Sequence, residues 1–119
     1  MSLKLKAQQH LRDKVAELLI VRASGHAFDS QRKYPSLELS NNTLKTLLEH
    51  GLGGVILHGG TVEEIQARCS QLNAWSKNPI LLCADVEEGV GQRFEGGTWL
   101  PPPMALGLRY FNESHESLL

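Results

Sequence analysis

The sequence predicts an α/β fold with a parallel sheet of about three strands. Three short apolar runs have the character of buried strands, and segments with the helical spacing of apolar residues separate them. No two consecutive runs are joined by a hairpin turn, so the alternation indicates βαβ units. A doubly wound sheet and a (β/α)8 barrel are both built from such units, and the spacing of apolar residues is compatible with either.

The first helix and the first strand meet within one apolar segment. Apolar residues recur with helical spacing at Leu11, Val15, Leu18 and Leu19. A continuous apolar run over residues 18–21 then passes into a loop that contains Ser24 and Gly25. We therefore expect a helix up to about Glu17 and a strand from about Leu18 to Ala23.

The second unit begins after a polar, aperiodic segment, Gly25–Leu39, which is typical of a loop. Either Asn41 or Asn42 is the expected N-cap of the helix that follows, since a short polar side chain can accept a hydrogen bond from the first turn. The apolar face of this helix consists of Leu44, Leu47 and Leu48. Gly51 is suited to the left-handed conformation that commonly follows a helix.

The third unit begins with the apolar run Val55–Leu57, which lies between two glycine pairs. Thr61 and Glu64 have the spacing of a capping box, which predicts the start of a helix. The helical face is formed by Val62, Ile65, Cys69 and Leu72. Asn78-Pro79 should end this helix, because proline disfavours helical conformation in the residue before it.

The last predicted strand is Ile80–Ala84, and it ends at Asp85. A glycine-rich loop, a proline run at 101–103 and a short apolar stretch follow, and we expect Asn112 to cap a final helix over residues 113–119. Three strands are few for either architecture, and a (β/α)8 barrel needs about 250 residues, so the chain is expected to be a fragment or a truncated gene product.

Composition excludes several classes of function. The chain has 119 residues and a formal net charge of -1, with 41% hydrophobic and 21% charged residues. This balance gives no electrostatic basis for binding nucleic acid or a membrane surface.

The N-terminus has no secretory signal, so we expect a cytoplasmic location. Cys69 and Cys83 are expected to be free, buried thiols; no metal-binding spacing is present, and no cofactor is expected.

Functional groups should follow the strands, because the loops after parallel strands open onto one edge of the sheet. The first strand is followed by Ser24 and His26 and itself contains Arg22; the second ends at His58. A hydrogen bond between His58 and nearby backbone is an alternative to ligand binding for that residue. Two tryptophans could stack on a sugar ring; Trp75 is expected to pack in the core, and Trp99 is an open question.

The segment that follows the third strand is the richest in chemistry. Residues 85–93 contain three carboxylates, an amide, a guanidinium and two glycines. Carboxylates can accept hydrogen bonds from vicinal hydroxyls and a guanidinium donates in a planar fork, so the set suits a polyhydroxylated ligand. The alternative is an Asp85–Arg93 ion pair that only fixes the loop. A dinucleotide or P-loop site does not fit, because the glycine spacing and the lysine are missing.

Several segments together resemble the N-terminal domain of glycoside hydrolase family 3, in particular its β-N-acetylhexosaminidase and β-glucosidase members. These segments, in chain order, are 53–57, 79–87, Gln92-Arg93, Leu100-Pro101 and 105–107. The family's motif is Asp-x-Glu-Gly-Gly-x-Val-Gln-Arg. Five residues match it, namely Asp85, Glu87, Gly89, Gln92 and Arg93. Two depart from it, namely Glu88 and Gly91, and Val90 stands where the family usually has a basic residue.

The resemblance implies that residues 1–119 are the N-terminal part of a single, larger (β/α)8 barrel domain, and thus a partial barrel. It also implies a part in the hydrolysis of β-glycosides with retention of configuration. Asp85 would bind sugar hydroxyls, and Arg93 would contact the same sugar or hold Asp85. We include Glu87 and His58 as further substrate-binding candidates. The family's nucleophile and acid/base belong to later regions, so no catalytic residue is assigned here and the chain alone is expected to be inactive.

Two other interpretations remain at this point. The chain could be a degenerate, non-catalytic sugar-binding or interaction module, or an unrelated α/β domain in which the 85–93 loop is only an ion-paired turn. An incomplete barrel would leave a sheet edge and apolar surfaces uncovered, so a partner chain that completes the barrel, or self-association, is expected.

Overall fold

A computed structural model describes residues 3–116 of the chain and the side chains of residues 3–112. Three parallel strands form one sheet in the order β1 (Ile20–Ser24), β2 (Gly54–His58) and β3 (Leu81–Cys83). The four helices are α1 (Leu3–Ala16), α2 (Asn41–Glu49), α3 (Val62–Trp75) and α4 (Pro103–Glu116). Since α2 joins β1 to β2 and α3 joins β2 to β3, the predicted βαβ alternation and the parallel sheet are confirmed.

The register of the strands gives the sheet two different faces. Arg22 pairs with Ile56, and Ile56 pairs with Cys83, so these three residues form one row across the sheet. Successive side chains in a strand point to opposite faces. The opposite face carries Ala23, Val55 and Leu57, which are buried against α2 and α3. The core consists of Ala23, Leu44, Leu48, Leu52, Val55, Leu57 and Leu72.

The face that carries Arg22 and Ile56 is open. Ile20 and Leu81, the first residues of β1 and β3, lie on this face and are 50% and 59% exposed. Burying apolar surface is the main favourable term in folding, so an exposed row of this kind is a surface that another element could cover. In a closed (β/α)8 arrangement this face would point to the interior of the barrel.

The boundary between α1 and β1 differs from the prediction by two residues. Leu18 and Leu19 donate backbone hydrogen bonds to Val15 and Ala16, so the chain makes one more turn before the strand begins at Ile20. Leu11 and Val15, on the apolar face that the spacing indicated for α1, are both exposed. No residue of α1 is buried, because the helix extends away from the three-stranded sheet.

The cap of α2 was assigned to the wrong residue. Ser40, not Asn41 or Asn42, is the N-cap, and its hydroxyl accepts a hydrogen bond from the Thr43 backbone at 3.3 Å. The capping box of α3 is confirmed: Thr61 N donates to Glu64 Oε2 at 2.9 Å and Glu64 N donates to the Thr61 hydroxyl. Gly51 has the predicted left-handed conformation, with φ of 92°.

The start of the last helix was also predicted wrongly. Asn112 lies inside α4, which begins nine residues earlier in the chain, at Pro103. Proline is favoured in the first turn because its missing N–H would have no partner there and its φ is already helical. The proline run was therefore a start signal as well as a stop signal. Residues 117–119 of the predicted helix lie outside the described residues.

Candidate functional site

A cleft of about 690 Å³ opens at the C-terminal edge of the sheet. Residues from β1, from β2 and from the loops after all three strands line it; the loop after β1 is Gly25–Leu39. The charged and aromatic side chains in its wall are Arg22, His26, Lys33, Tyr34, Glu38, His58, Asp85, Arg93, Phe94 and Glu95. Its position agrees with the general location of functional sites in parallel α/β folds.

Backbone hydrogen bonds connect the three loops around the cleft. Gly25 N donates to the His58 carbonyl at 2.7 Å, which joins the loop after β1 to the end of β2. Gly59 N donates to the Arg93 carbonyl at 3.0 Å, and Glu95 N donates to the Gly60 carbonyl at the same distance. A side chain at Gly25 would collide with the Gly59 carbonyl, since its Cβ would lie 1.8 Å away. The glycines allow the loops to meet.

The glycine-rich loop after β3 closes on itself. Gly89 has a φ of 85°, in the region that favours glycine, and Gly91 N donates to the Thr98 carbonyl at 2.8 Å. A Cβ at Gly91 would lie 2.4 Å from the Gly97 carbonyl oxygen. Leu100 N donates to the Glu88 carbonyl at 2.7 Å. This compact loop brings Arg93 back beside the end of β3.

Asp85 and Arg93 are held together mainly through the backbone. Arg93 Nε donates a 2.8 Å hydrogen bond to the Asp85 carbonyl oxygen, whereas Arg93 Nη2 lies 4.0 Å from Asp85 Oδ2. The side chain of Asp85 is 53% exposed, and that of Arg93 is 33% exposed. Since the carboxylate is at the outer limit of an ion pair, its oxygens remain accessible from the cleft.

His58 lies in the cleft wall between the charged groups. Partial burial lowers the pKa of His58 below its ordinary value of 6.5, and the positive charges of Arg22 and Arg93 lower it further. The carboxylates of Asp85 and Glu38 act in the opposite direction but are outweighed. The imidazole is therefore neutral at pH 7, where it can both donate and accept a hydrogen bond.

Glu87, the fourth sequence-predicted site residue, is not brought to the cleft. Its side chain is exposed and lies outside the residues that line the cavity. The neighbouring Glu88 accepts a 2.7 Å hydrogen bond from the Trp99 indole, so Trp99 is tied to the loop after β3 although it is largely exposed. Trp75 packs against the core, as the sequence predicted.

The Gly25–Leu39 loop forms part of the cleft wall, and this was not predicted from the sequence. Glu38 is only 3% exposed, and its Oε2 accepts a hydrogen bond from Tyr34 N at 3.1 Å. The guanidinium of Arg22 lies 5.5 Å from the centre of the Tyr34 ring. The available signal was Arg22 itself, because an arginine within a short apolar strand requires a reason to be there.

A buried arginine beneath the cleft was also missed. Arg68 of α3 is 1% exposed; its Nε donates to the Ser24 carbonyl at 3.1 Å, and its Nη1 donates to Asn41 Oδ1 at 2.8 Å and also to Gln71 Oε1. Burial lowers the pKa of Arg68, but the guanidinium stays charged because its ordinary pKa is so high. Asn41 in turn donates to the Ala27 carbonyl at 2.7 Å, so Arg68 fixes the start of the cleft loop.

Metal and membrane functions have no support in the described part of the chain. Within residues 3–116, no three histidine, cysteine, aspartate or glutamate side chains come close enough to hold a metal ion. None of the described helices has the length and apolar character needed to cross a bilayer. Cys69 and Cys83 are free thiols, as expected, and both are half-buried.

Comparison with known families identifies the chain. The family described as glycosyl hydrolase family 3 N terminal domain matches residues 10–116. The chain belongs to this family. The match covers all three strands, α2, α3 and the whole cleft. A comparison with curated proteins found no match.

Membership in glycosyl hydrolase family 3 decides between the two architectures that the sequence left open. The three parallel strands, with α2 and α3 packed on one face, are consistent with part of the (β/α)8-type barrel of this N-terminal domain. The cleft then lies at the C-terminal face of the barrel strands. The resemblance seen in the sequence is confirmed at the level of the family.

Proposed function

We propose that the chain contributes the substrate-binding wall of an enzyme that hydrolyses β-glycosides with retention, of the β-glucosidase or β-N-acetylhexosaminidase type. The observation that carries the proposal is the accessible Asp85 carboxylate, which lies in the cleft while Arg93 is fixed beside it through the Asp85 carbonyl. In this arrangement the carboxylate accepts hydrogen bonds from sugar hydroxyls and the free Arg93 Nη groups donate to sugar oxygens.

His58 is the third substrate-binding residue of this proposal. Its neutral ring lies in the cleft wall near both Asp85 and Arg93, where it offers one donor and one acceptor to a hydroxyl group. Glu87 has no such position, so its proposed part is limited to the exposed rim of the loop.

We assign no nucleophile and no acid/base to these residues. A retaining mechanism uses two carboxyl groups about 5–5.5 Å apart on opposite sides of the bond. The Asp85 carboxylate is allotted to substrate hydroxyls, and Glu38 is already engaged with the Tyr34 backbone at 3.1 Å. The catalytic pair would come from other parts of the family's fold, and the proposed location of the enzyme is the cytoplasm.

A turnover assay tests this division of roles. The purified chain is incubated with 4-nitrophenyl β-glucoside and 4-nitrophenyl β-N-acetylglucosaminide, with Asp85→Ala and Glu63→Gln as paired variants. Glu63 is exposed in the first turn of α3 and lies outside the cleft, so it is a matched loss of one carboxylate. We expect no release of nitrophenol above background. Hydrolysis that is lost in Asp85→Ala but kept in Glu63→Gln would refute the assignment.

A further inference from the structure

Arg22 is a cation in the wall of the cleft. It lies in the middle of β1, on the open face of the sheet, and its side chain is half-buried. Its Nε is buried and has no hydrogen-bond partner, and no ion pair among the described side chains includes Arg22. Because the described side chains offer the guanidinium no acceptor, its Nη donors in the cleft wall point to an acceptor that a ligand brings.

A second cation, Lys33, lies on the same aromatic ring as Arg22. The guanidinium of Arg22 and the ammonium of Lys33 lie 5.5 Å and 5.6 Å from the centre of the same Tyr34 ring. Such cation–π contacts hold the side chains in place without using their N–H donors. The two cations therefore stay available to an anion at this end of the cleft.

The effect on His58 indicates which sign of charge prevails within the cleft. The charges of Arg22 and Arg93 lower the pKa of His58 more than Asp85 and Glu38 raise it. The potential at this point is thus positive, although three carboxylates line the cavity. A negatively charged group is favoured there.

We propose that the Arg22 side of the cleft binds a carboxylate carried by the glycoside, so that the preferred ligands are acidic β-glycosides such as uronides. The planar guanidinium matches a carboxylate in a two-bond geometry through its two Nη groups. Lys33 adds charge at the rim. This inference rests on the proposed function, because the sugar ring itself is held by Asp85 and Arg93.

The experiment compares two ligands that differ only at the sixth carbon. The ¹⁵N-labelled chain is titrated at low ionic strength with methyl β-glucoside and with sodium methyl β-glucuronide, and dissociation constants are taken from the amide shifts. We expect the uronide to bind about tenfold more tightly, which corresponds to one charge-assisted hydrogen-bonded pair. The ratio should fall as salt is added, since screening acts on the charged ligand alone.

Three variants test whether Arg22 causes the preference for the uronide over the glucoside. Arg22→Gln should bring the ratio of the two dissociation constants to about one, and Arg22→Lys should leave an intermediate ratio because it keeps the charge and loses the fork. Arg12→Gln, an exposed position in α1 outside the cleft, should keep the preference of the unchanged chain.

Each outcome has a distinct meaning. Equal affinity for the two ligands, or a preference that survives Arg22→Gln, overturns the inference and leaves the proposed function standing. If neither ligand binds, the proposed function and the inference both fail. Should Arg22→Gln not fold, the salt series on the unchanged chain still decides, since a ratio that salt leaves unchanged contradicts a carboxylate–guanidinium pair.

Discussion

Arg93 Nε donates a 2.8 Å hydrogen bond to the backbone carbonyl of Asp85, and the two charged groups themselves approach only to 4.0 Å. A simple ion pair that fixed the loop would have used the carboxylate. Here the carbonyl fixes the arginine and the carboxylate faces a cleft that also contains His58. This difference is the basis of the substrate-binding role proposed for Asp85.

The buried Arg68 should be a main support of the cleft loop. Arg68→Met is expected to lower the free energy of unfolding by about 2–4 kcal/mol, because the Ser24 carbonyl and Asn41 Oδ1 lose a buried charged donor. Lys45→Met removes only an exposed i,i+4 pair with Glu49 and should cost less than about 0.5 kcal/mol. Urea denaturation followed by circular dichroism measures both; equal effects would argue against the supporting role of Arg68.

Two glycines provide a matched test of the loop contacts. Gly25→Ala should destabilise the chain by roughly 3 kcal/mol, because the new Cβ would lie 1.8 Å from the Gly59 carbonyl and backbone must move. Gly107→Ala, in α4 with open space around it, should instead stabilise its helix by about 0.5–1 kcal/mol. The same denaturation experiment reads both variants. A Gly25→Ala variant as stable as the unchanged chain would show that the loops do not meet as described.

Stability should fall as the solution is made mildly acidic. The pKa of His58 is lowered in the folded chain, so below the ordinary value of 6.5 the unfolded chain takes up a proton that the folded chain does not. His58→Gln should flatten the dependence of the urea midpoint on pH between about 7.5 and 5. His10→Gln, exposed in α1, is the control. If the slope of the urea midpoint against pH were unchanged in His58→Gln, His58 would not be the cause of the loss of stability in mild acid.

Glu64 affects the stability of the chain at lower pH than His58 does. Its pKa is lowered mainly by the hydrogen bond from the Thr61 backbone, with a further contribution from His26, whose Nδ1 lies 3.2 Å away. The stabilisation is present above the ordinary value of 4.5 and is lost as pH falls through the lower pKa of the folded chain. Glu64→Gln should remove that loss. A midpoint curve identical to that of the unchanged chain down to pH 3 would contradict this.

The open face of the sheet should associate with another surface. Ile20 and Leu81 are about half exposed on this face, where we propose that a partner chain completing the barrel, or a second copy, packs. Sedimentation of the purified chain should detect self-association that increases with concentration. Ile20→Thr combined with Leu81→Thr should weaken it more than Leu3→Thr combined with Leu5→Thr in α1. A concentration-independent monomer would contradict the proposal.

The sequence was most informative where one physical rule dominated. The capping box of Thr61 and the left-handed Gly51 were predictable because each depends on a few adjacent residues. The end of α1 was not predictable, since a run of apolar residues fits a helix or a strand. The start of α4 was not predictable either, because a proline can stop a helix or start one.

Among the site residues, Asp85, Arg93 and His58 were predictable from their positions at strand ends, and the structure places all three in one cleft. Tyr34, Glu38 and Arg68 were not. Their positions depend on how a 15-residue aperiodic segment folds back, for example through the bond from Leu39 N to the Arg22 carbonyl, and such contacts leave no spacing pattern in the sequence.

Isothermal titration with methyl β-glucoside and methyl β-N-acetylglucosaminide measures whether the Asp85 carboxylate binds a sugar in this cleft. At least one of the two ligands should bind, and Asp85→Asn should weaken that binding by roughly tenfold or more while Glu63→Gln leaves it unchanged. Failure of both ligands to bind the unchanged chain, or equal affinity in Asp85→Asn, would contradict the account.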